Sequence, residues 1–98
     1  MTNLEASVTL RLSIQRALLD EVTDRMWSIT CGLRERTVMI RAYFQGAVTP
    51  EDLERVQRIG TEVIADFPDG YMIEESCGSL DELEEISLDY WVFRRAPK

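Results

Sequence analysis

Residues 26–45 read Met26-Trp27-Ser28-Ile29-Thr30-Cys31-Gly32-Leu33-Arg34-Glu35-Arg36-Thr37-Val38-Met39-Ile40-Arg41-Ala42-Tyr43-Phe44-Gln45. Trp27, Ile29, Cys31 and Leu33 alternate with Met26, Ser28, Thr30 and Gly32. After Arg34-Glu35-Arg36 the alternation resumes, with Val38, Ile40, Ala42 and Phe44 on one face and Met39, Arg41, Tyr43 and Gln45 on the other. A period of two is the signature of a pleated strand, whose successive side chains point to opposite faces. β-Branched and aromatic residues suit that surface. The break between the arms is short, so the two strands are expected to pair antiparallel as a hairpin.

Downstream of this hairpin, Thr49-Pro50-Glu51-Asp52 is a helix start. Thr49 caps free amide groups, Pro50 suits the first helical position, and Glu51 and Asp52 complement the positive end of the helix dipole. Leu53, Val56, Ile59, Gly60, Val63, Ile64 and Phe67 form a wide apolar stripe. Gly60 costs about 1 kcal/mol in a helix interior, and its place on the apolar face implies close approach to the sheet. Pro68-Asp69-Gly70 stops the helix with turn chemistry.

Upstream, residues 10–22 place Leu10, Ile14, Ala17, Leu18 and Val22 on one side at helical spacing, with Ser7 or Thr9 as the cap. Val8, Leu10, Leu12 and Ile14 also alternate as a strand would. The helix formers of Gln15-Arg16-Ala17-Leu18-Leu19-Asp20-Glu21 favour helix, with a first turn that the alternation leaves open to an extended form. Residues 71–77 read as a third strand, 78–85 as an acidic loop or helical turn, 87–95 as a fourth strand, and 96–98 as a tail. In the fourth strand Leu88, Tyr90 and Val92 oppose Asp89, Trp91 and Phe93. The expected architecture is one α+β domain over residues 1–98, in the order α-β-β-α-β-β. A four-stranded antiparallel sheet with two helices on one face is its simplest closed form.

Charge is distributed unevenly. Residues 1–48 carry six arginines against five acids, and residues 49–98 carry five basic residues against thirteen acids, for a net charge of −7. Between residues 66 and 89 stand nine carboxylates and no Lys or Arg. Such a flank repels nucleic acid and anionic membrane and attracts basic surfaces. There is no histidine, which removes the commonest general base and the commonest zinc ligand. The only lysine is Lys98 at the end of the chain, so Schiff-base chemistry and a lysine phosphate clamp are not expected. Cys31 and Cys77 form neither a disulfide framework nor a metal spacing and read as small buried hydrophobes. No apolar run reaches the roughly 20 residues of a membrane span, and the first residues lack the pattern of a secretory signal. A reduced, cytoplasmic protein is the expectation.

The candidate site is a docking surface. Its members are the carboxylates Glu74, Glu75, Asp81, Glu82, Glu84, Glu85 and Asp89, with Tyr43 and Trp91 as aromatic anchors. Acidic side chains steer a cationic partner, and Tyr and Trp are enriched at interface centres. With both helices on one side, either Tyr90 or Trp91 with Phe93 must point away from them. Those aromatic residues then bind a partner, pair in a homodimer, or lie beneath the acidic loop. No cofactor is expected. Glu74-Glu75 and Asp81-Glu82 carry the oxygen ligands that calcium or magnesium takes. Neighbours in a strand face opposite ways, and no calcium-loop motif is present, so no metal is expected either.

Leu10-Arg11-Leu12-Ser13-Ile14-Gln15-Arg16-Ala17-Leu18-Leu19, with Ile40-Arg41-Ala42-Tyr43-Phe44-Gln45-Gly46 and Thr61-Glu62-Val63-Ile64-Ala65-Asp66-Phe67-Pro68, resembles a family of small acidic bacterial proteins of unassigned role. Proteins of this size and charge include immunity proteins of contact-dependent inhibition and colicin-type toxin systems. The resemblance implies an antitoxin that plugs the basic active site of a cognate toxin, with a nuclease as the expected class, and it implies no catalytic residue. A self-associating structural or regulatory protein and a small carboxylate or metal-dependent enzyme are the alternatives.

Overall fold

The hairpin forms where its alternation places it. In a computed structural model that describes residues 1–82 and 84–96, β1 (Met26–Arg34) pairs antiparallel with β2 (Thr37–Phe44) around a two-residue turn. Glu35 takes that turn at φ +57°, a left-handed conformation that side chains rarely adopt. The alternation sends Val38, Ile40, Ala42 and Phe44 into the core with Ile29 and Cys31, and a register shift between Met26 and Ser28 adds Met26, which strict alternation puts on the face of Ser28 and Thr30; all seven are buried. Two helices cover this face. One is α1 (Asn3–Ala17), which lies against β1 and β4 (Tyr90–Arg94). The other is α2 (Pro50–Ile64), which lies against β2 and β3 (Met72–Ser79). The two helices also pack on each other, and Leu10, Ile14, Val56, Ile59 and Val63 complete a single core. Each such side chain contributes about 1.5–3 kcal/mol when fully buried.

Both helices begin with reciprocal caps. Thr49 accepts from the amide of Asp52, whose carboxylate accepts from the amide of Thr49. Thr2 and Glu5 do the same for α1. The first helix therefore starts at Asn3, a turn or more before the expected start near residue 10, and closes at Leu18 rather than continuing to Val22. The strand-like alternation of Val8, Leu10, Leu12 and Ile14 has a simple cause. Leu10 and Ile14 face the core while Val8 and Leu12 stand on the opposite, exposed side of the same helix.

The sheet departs from the antiparallel expectation. Its order is β3-β2-β1-β4, and β3 runs parallel to β2. The physical reason is α2: a helix between two strands returns the chain to the end of the sheet where it began, so the following strand runs parallel. β4 pairs antiparallel with β1 at the far edge. The link from β3 to β4 must therefore travel the full width of the sheet. A bulge in β4 pairs Phe93 with Ile29 but Trp91 with Thr30, leaving Val92 as the extra residue. Tyr90, Val92 and Phe93 pack against the core and Trp91 alone points the other way, 45% exposed. Residues 97 and 98, which hold most of the expected tail and Lys98, and residue 83 lie outside the described residues.

Candidate partner-binding surface

The side chains of Ser28, Thr30, Arg41 and Tyr43 share the sheet face that carries no helix, and they hold the connection from β3 to β4 across it. The Tyr43 hydroxyl accepts from the amide of Ile86 at 3.0 Å and donates to the carbonyl of Glu84 at 3.4 Å. Arg41 donates to the carbonyl of Ile86 at 3.1 Å. Ser28 donates to the Glu85 carboxylate at 2.7 Å, and the Leu88 amide donates to Thr30 Oγ1 at 3.0 Å. Ser28, Thr30 and Tyr43 are consequently buried, Tyr43 to 6% exposure, although no helix covers them. The acidic segment is a strap tied down from beneath, its amides, its carbonyls and the Glu85 carboxylate bonded to the strand side chains that it buries.

The strap begins in a turn. Ser79 accepts from the amide of Asp81 through its hydroxyl and from the amide of Glu82 through its carbonyl. Asp81, Glu82 and Glu84 are exposed, as is Ile86 on the crossing itself. Glu74, in register with Met39, projects from β3 on the same face. Trp91 closes the far edge, its ring covered by the Arg94 guanidinium at 4.8 Å, a cation–π contact. Between strap and β3 lies a hollow of about 320 Å³ lined by Arg41, Tyr43, Ser76, Gly78, Glu84 and Ile86.

The remaining expected site residues lie elsewhere or are already engaged. Glu75, in register with Ile40, faces the helices and packs against Gly60. Burial raises its carboxyl above the usual range, and one of its oxygens is buried with no hydrogen-bond partner. Asp89 is paired with Arg34 at 2.6 Å, and the Arg34 hydrogen bonds hold its carboxyl below the usual range. Gly32 leaves the room for it, since a Cβ there would stand 2.7 Å from Asp89 Oδ2. Glu85 is half-buried over Ser28. Of the nine acids between residues 66 and 89, two make ion pairs among the described residues: Asp66 with Arg16, and Asp89 with Arg34. Asp69, Glu74, Asp81, Glu82 and Glu84 are exposed and make none there.

The sequence reading missed the strap's anchors and the ion pairs that bind the two halves of the chain. Arg25 reaches the buried Asp52 at 2.8 Å, and Glu21 receives both Arg55 and Arg58. The signal for the anchors was the polarity of Ser28, Thr30 and Tyr43 on strands otherwise built for burial. Both thiols stay protonated at neutral pH: burial pushes Cys31 to about 12 and Cys77 to about 11. Among the described residues no group of three His, Cys, Asp or Glu side chains is arranged to hold a metal ion. No helix among them is long and apolar enough to cross a membrane.

The arrangement has the form of a binding surface, with fixed backbone beneath, carboxylates free above and an aromatic residue at the rim. No curated protein matches the chain. A family model does, across residues 7–97 and so across all six elements, and the chain belongs to the MafI2 immunity protein family.

Proposed function

We propose that the protein is a non-enzymatic inhibitor that neutralises a cationic toxin domain by occlusion, with the strap face as its contact surface. Membership of an immunity protein family supports a cognate toxin as the partner. The observation that carries the choice of surface is the set of exposed carboxylates on or beside the strap, Glu74, Asp81, Glu82 and Glu84, which the molecule's own described arginines do not neutralise. Carboxylates held on a tied-down loop can take the place of substrate phosphates in a basic cleft, and a nuclease is the toxin class that such mimicry suits. Ile86 and Trp91 supply apolar contact beside the charges. A strap ordered in advance loses little conformational freedom on binding. The protein would act in the cytoplasm, where a nuclease finds its substrate.

Co-expression with the toxin encoded by the neighbouring gene tests this reading. The wild-type chain should restore growth and co-purify with the toxin. The triple variant Asp81→Asn, Glu82→Gln, Glu84→Gln should protect weakly or not at all while remaining folded. Full protection by that variant would move the contact surface elsewhere.

A further inference from the structure

The two edges of the sheet differ. β4 is five residues long and bulged at Val92, and the next residue is tied back, with Arg95 bonded to the carbonyls of Met26 and Thr23. β3 is eight residues long, pairs with β2 without a register shift, and contains neither Pro nor Lys. It has none of the devices that commonly blunt a sheet edge: short length, a bulge, Pro or Lys. The ladder decides which of its groups are free. Met72 and Leu80 donate to the carbonyls of Arg36 and Phe44. In a parallel pair the amides of Glu74, Ser76 and Gly78, which lie between them, therefore turn toward β2 as well. The N–H and C=O groups of Ile73, Glu75 and Cys77 turn outward, and the sheet order places no strand beyond them. A hollow flanks this edge on each face. The one on the helix side, about 150 Å³, is lined by Leu53, Val56, Gln57, Glu75 and Cys77. The one on the open face is the hollow between strap and β3. Each side also offers a carboxylate: Glu75, with its partnerless buried oxygen, toward the helices, and exposed Glu74 toward the open face.

We propose that the cognate toxin contributes an extended segment that joins the sheet as a fifth strand beside β3, and that this segment carries two consecutive basic residues, one for Glu74 and one for Glu75. The proposal rests on the toxin-neutralising function above and carries the strap surface round the adjoining edge. Consecutive residues of a strand face opposite ways, so adjacent basic residues reach the carboxylates on the two faces. The flanking side chains fall into the two hollows, and an apolar one suits the helix side, where Leu53 is 45% exposed. Main-chain bonds to Ile73, Glu75 and Cys77 supply affinity and the carboxylates supply selectivity. Charge argues for this occupant against a second copy of the chain. A two-fold pairing of β3 with itself would gather Glu74 and Glu75 of both copies on one short ribbon, where like charges repel. No Lys or Arg between residues 66 and 89 offsets them.

Amide hydrogen exchange of the full-length chain, alone and in complex with the toxin domain encoded by the neighbouring gene, tests the proposal. Alone, the amides of Glu74, Ser76 and Gly78 should exchange slowly and those of Ile73, Glu75 and Cys77 fast. In the complex the second set should slow by about a hundredfold. The toxin segment that gains protection with them should contain adjacent Lys or Arg residues. Cys77→Pro removes one outward donor and leaves the ladder to β2 whole. It should weaken toxin binding by about tenfold, whereas Cys77→Ala, which keeps the donor, should bind as wild type does. Should Cys77→Pro fail to fold, the exchange pattern of the wild-type complex decides alone. A complex in which Ile73, Glu75 and Cys77 exchange as fast as in the free chain, or in which the protected toxin segment lacks adjacent basic residues, would overturn the proposal and leave the function of the strap standing. Protection of those three amides that grows with concentration in the chain alone would overturn it in favour of a second copy. If no complex forms, toxin neutralisation itself fails and the fifth strand falls with it.

Discussion

Glu75 and Gly60 share a space that holds one side chain. A Cβ on residue 60 would lie 2.6 Å from Glu75 Cδ, so the glycine that weakens α2 is what admits a carboxylate between helix and sheet. Gly60→Ala should gain about 1 kcal/mol of helix propensity and lose a comparable amount by displacing Glu75, leaving thermal stability near wild type. In a Glu75→Ala background the displacement vanishes, and the same substitution should stabilise by about 1 kcal/mol. Chemical denaturation of the four proteins gives this coupling directly, and additive effects would show that the two residues do not compete. The Glu75 carboxyl has a raised folded-state pKa because burial disfavours its charge. Its contribution is therefore full below the ordinary carboxylate range and is lost as pH rises through the raised value. Glu75→Gln should raise the melting temperature at neutral pH and leave it little changed in mild acid. The opposite sign holds for Asp52, Asp66 and Asp89, whose carboxyls are lowered by their partners and whose contributions disappear as pH falls.

The strap is the element whose position the pattern of residues least betrays. Local periodicity identified both strands of the hairpin and α2 with its cap, since each is specified by its own residues. β3 and β4 were recognisable as strands, but their placement on opposite edges follows from the crossover through α2 and from the strap that spans the sheet, which are properties of the chain path. The bulge at Val92 likewise arises from pairing with β1. It moves Phe93 to the core side and leaves Trp91 outward, a split that strict alternation forbids. Of the candidate site, the charge was legible and the orientation was not. Glu74 and Glu75 are equivalent in composition, yet one faces solvent and the other a helix. The strap's order depends on Tyr43, whose hydroxyl both accepts from and donates to it. Tyr43→Phe should cost about 1 kcal/mol of global stability. It should also speed hydrogen exchange at the Ile86 and Leu88 amides well beyond that, because the strap can lift while the hairpin stays paired. Exchange that changes equally in β1 and in the strap would show that the two open as one unit.

At the scale of the whole molecule, each of the five ion pairs among the described residues joins a residue from the first 48 positions to one from the last 50. Three of these pairs set an arginine of the first half on an acid of the second, Arg55 and Arg58 reach back to Glu21, and exposed Glu74, Asp81, Glu82 and Glu84 are left without an ion pair among the described residues on or beside the strap. This separation of tasks predicts a separation in kinetics. Exposed charges act over distances set by the Debye length, about 8 Å at physiological ionic strength, and so govern encounter. A partly exposed aromatic residue acts only in contact, and so governs departure. Neutralising Asp81, Glu82 and Glu84 should slow association with the toxin by about tenfold at low salt and flatten its dependence on salt, with little change in dissociation. Trp91→Ala should leave association and its salt dependence as they are and speed dissociation by an amount equivalent to about 1–3 kcal/mol. Stopped-flow measurements across a salt series distinguish the two. If the triple variant altered only dissociation, the carboxylates would be contact groups in a dry interface, and long-range steering by the strap would have to be abandoned.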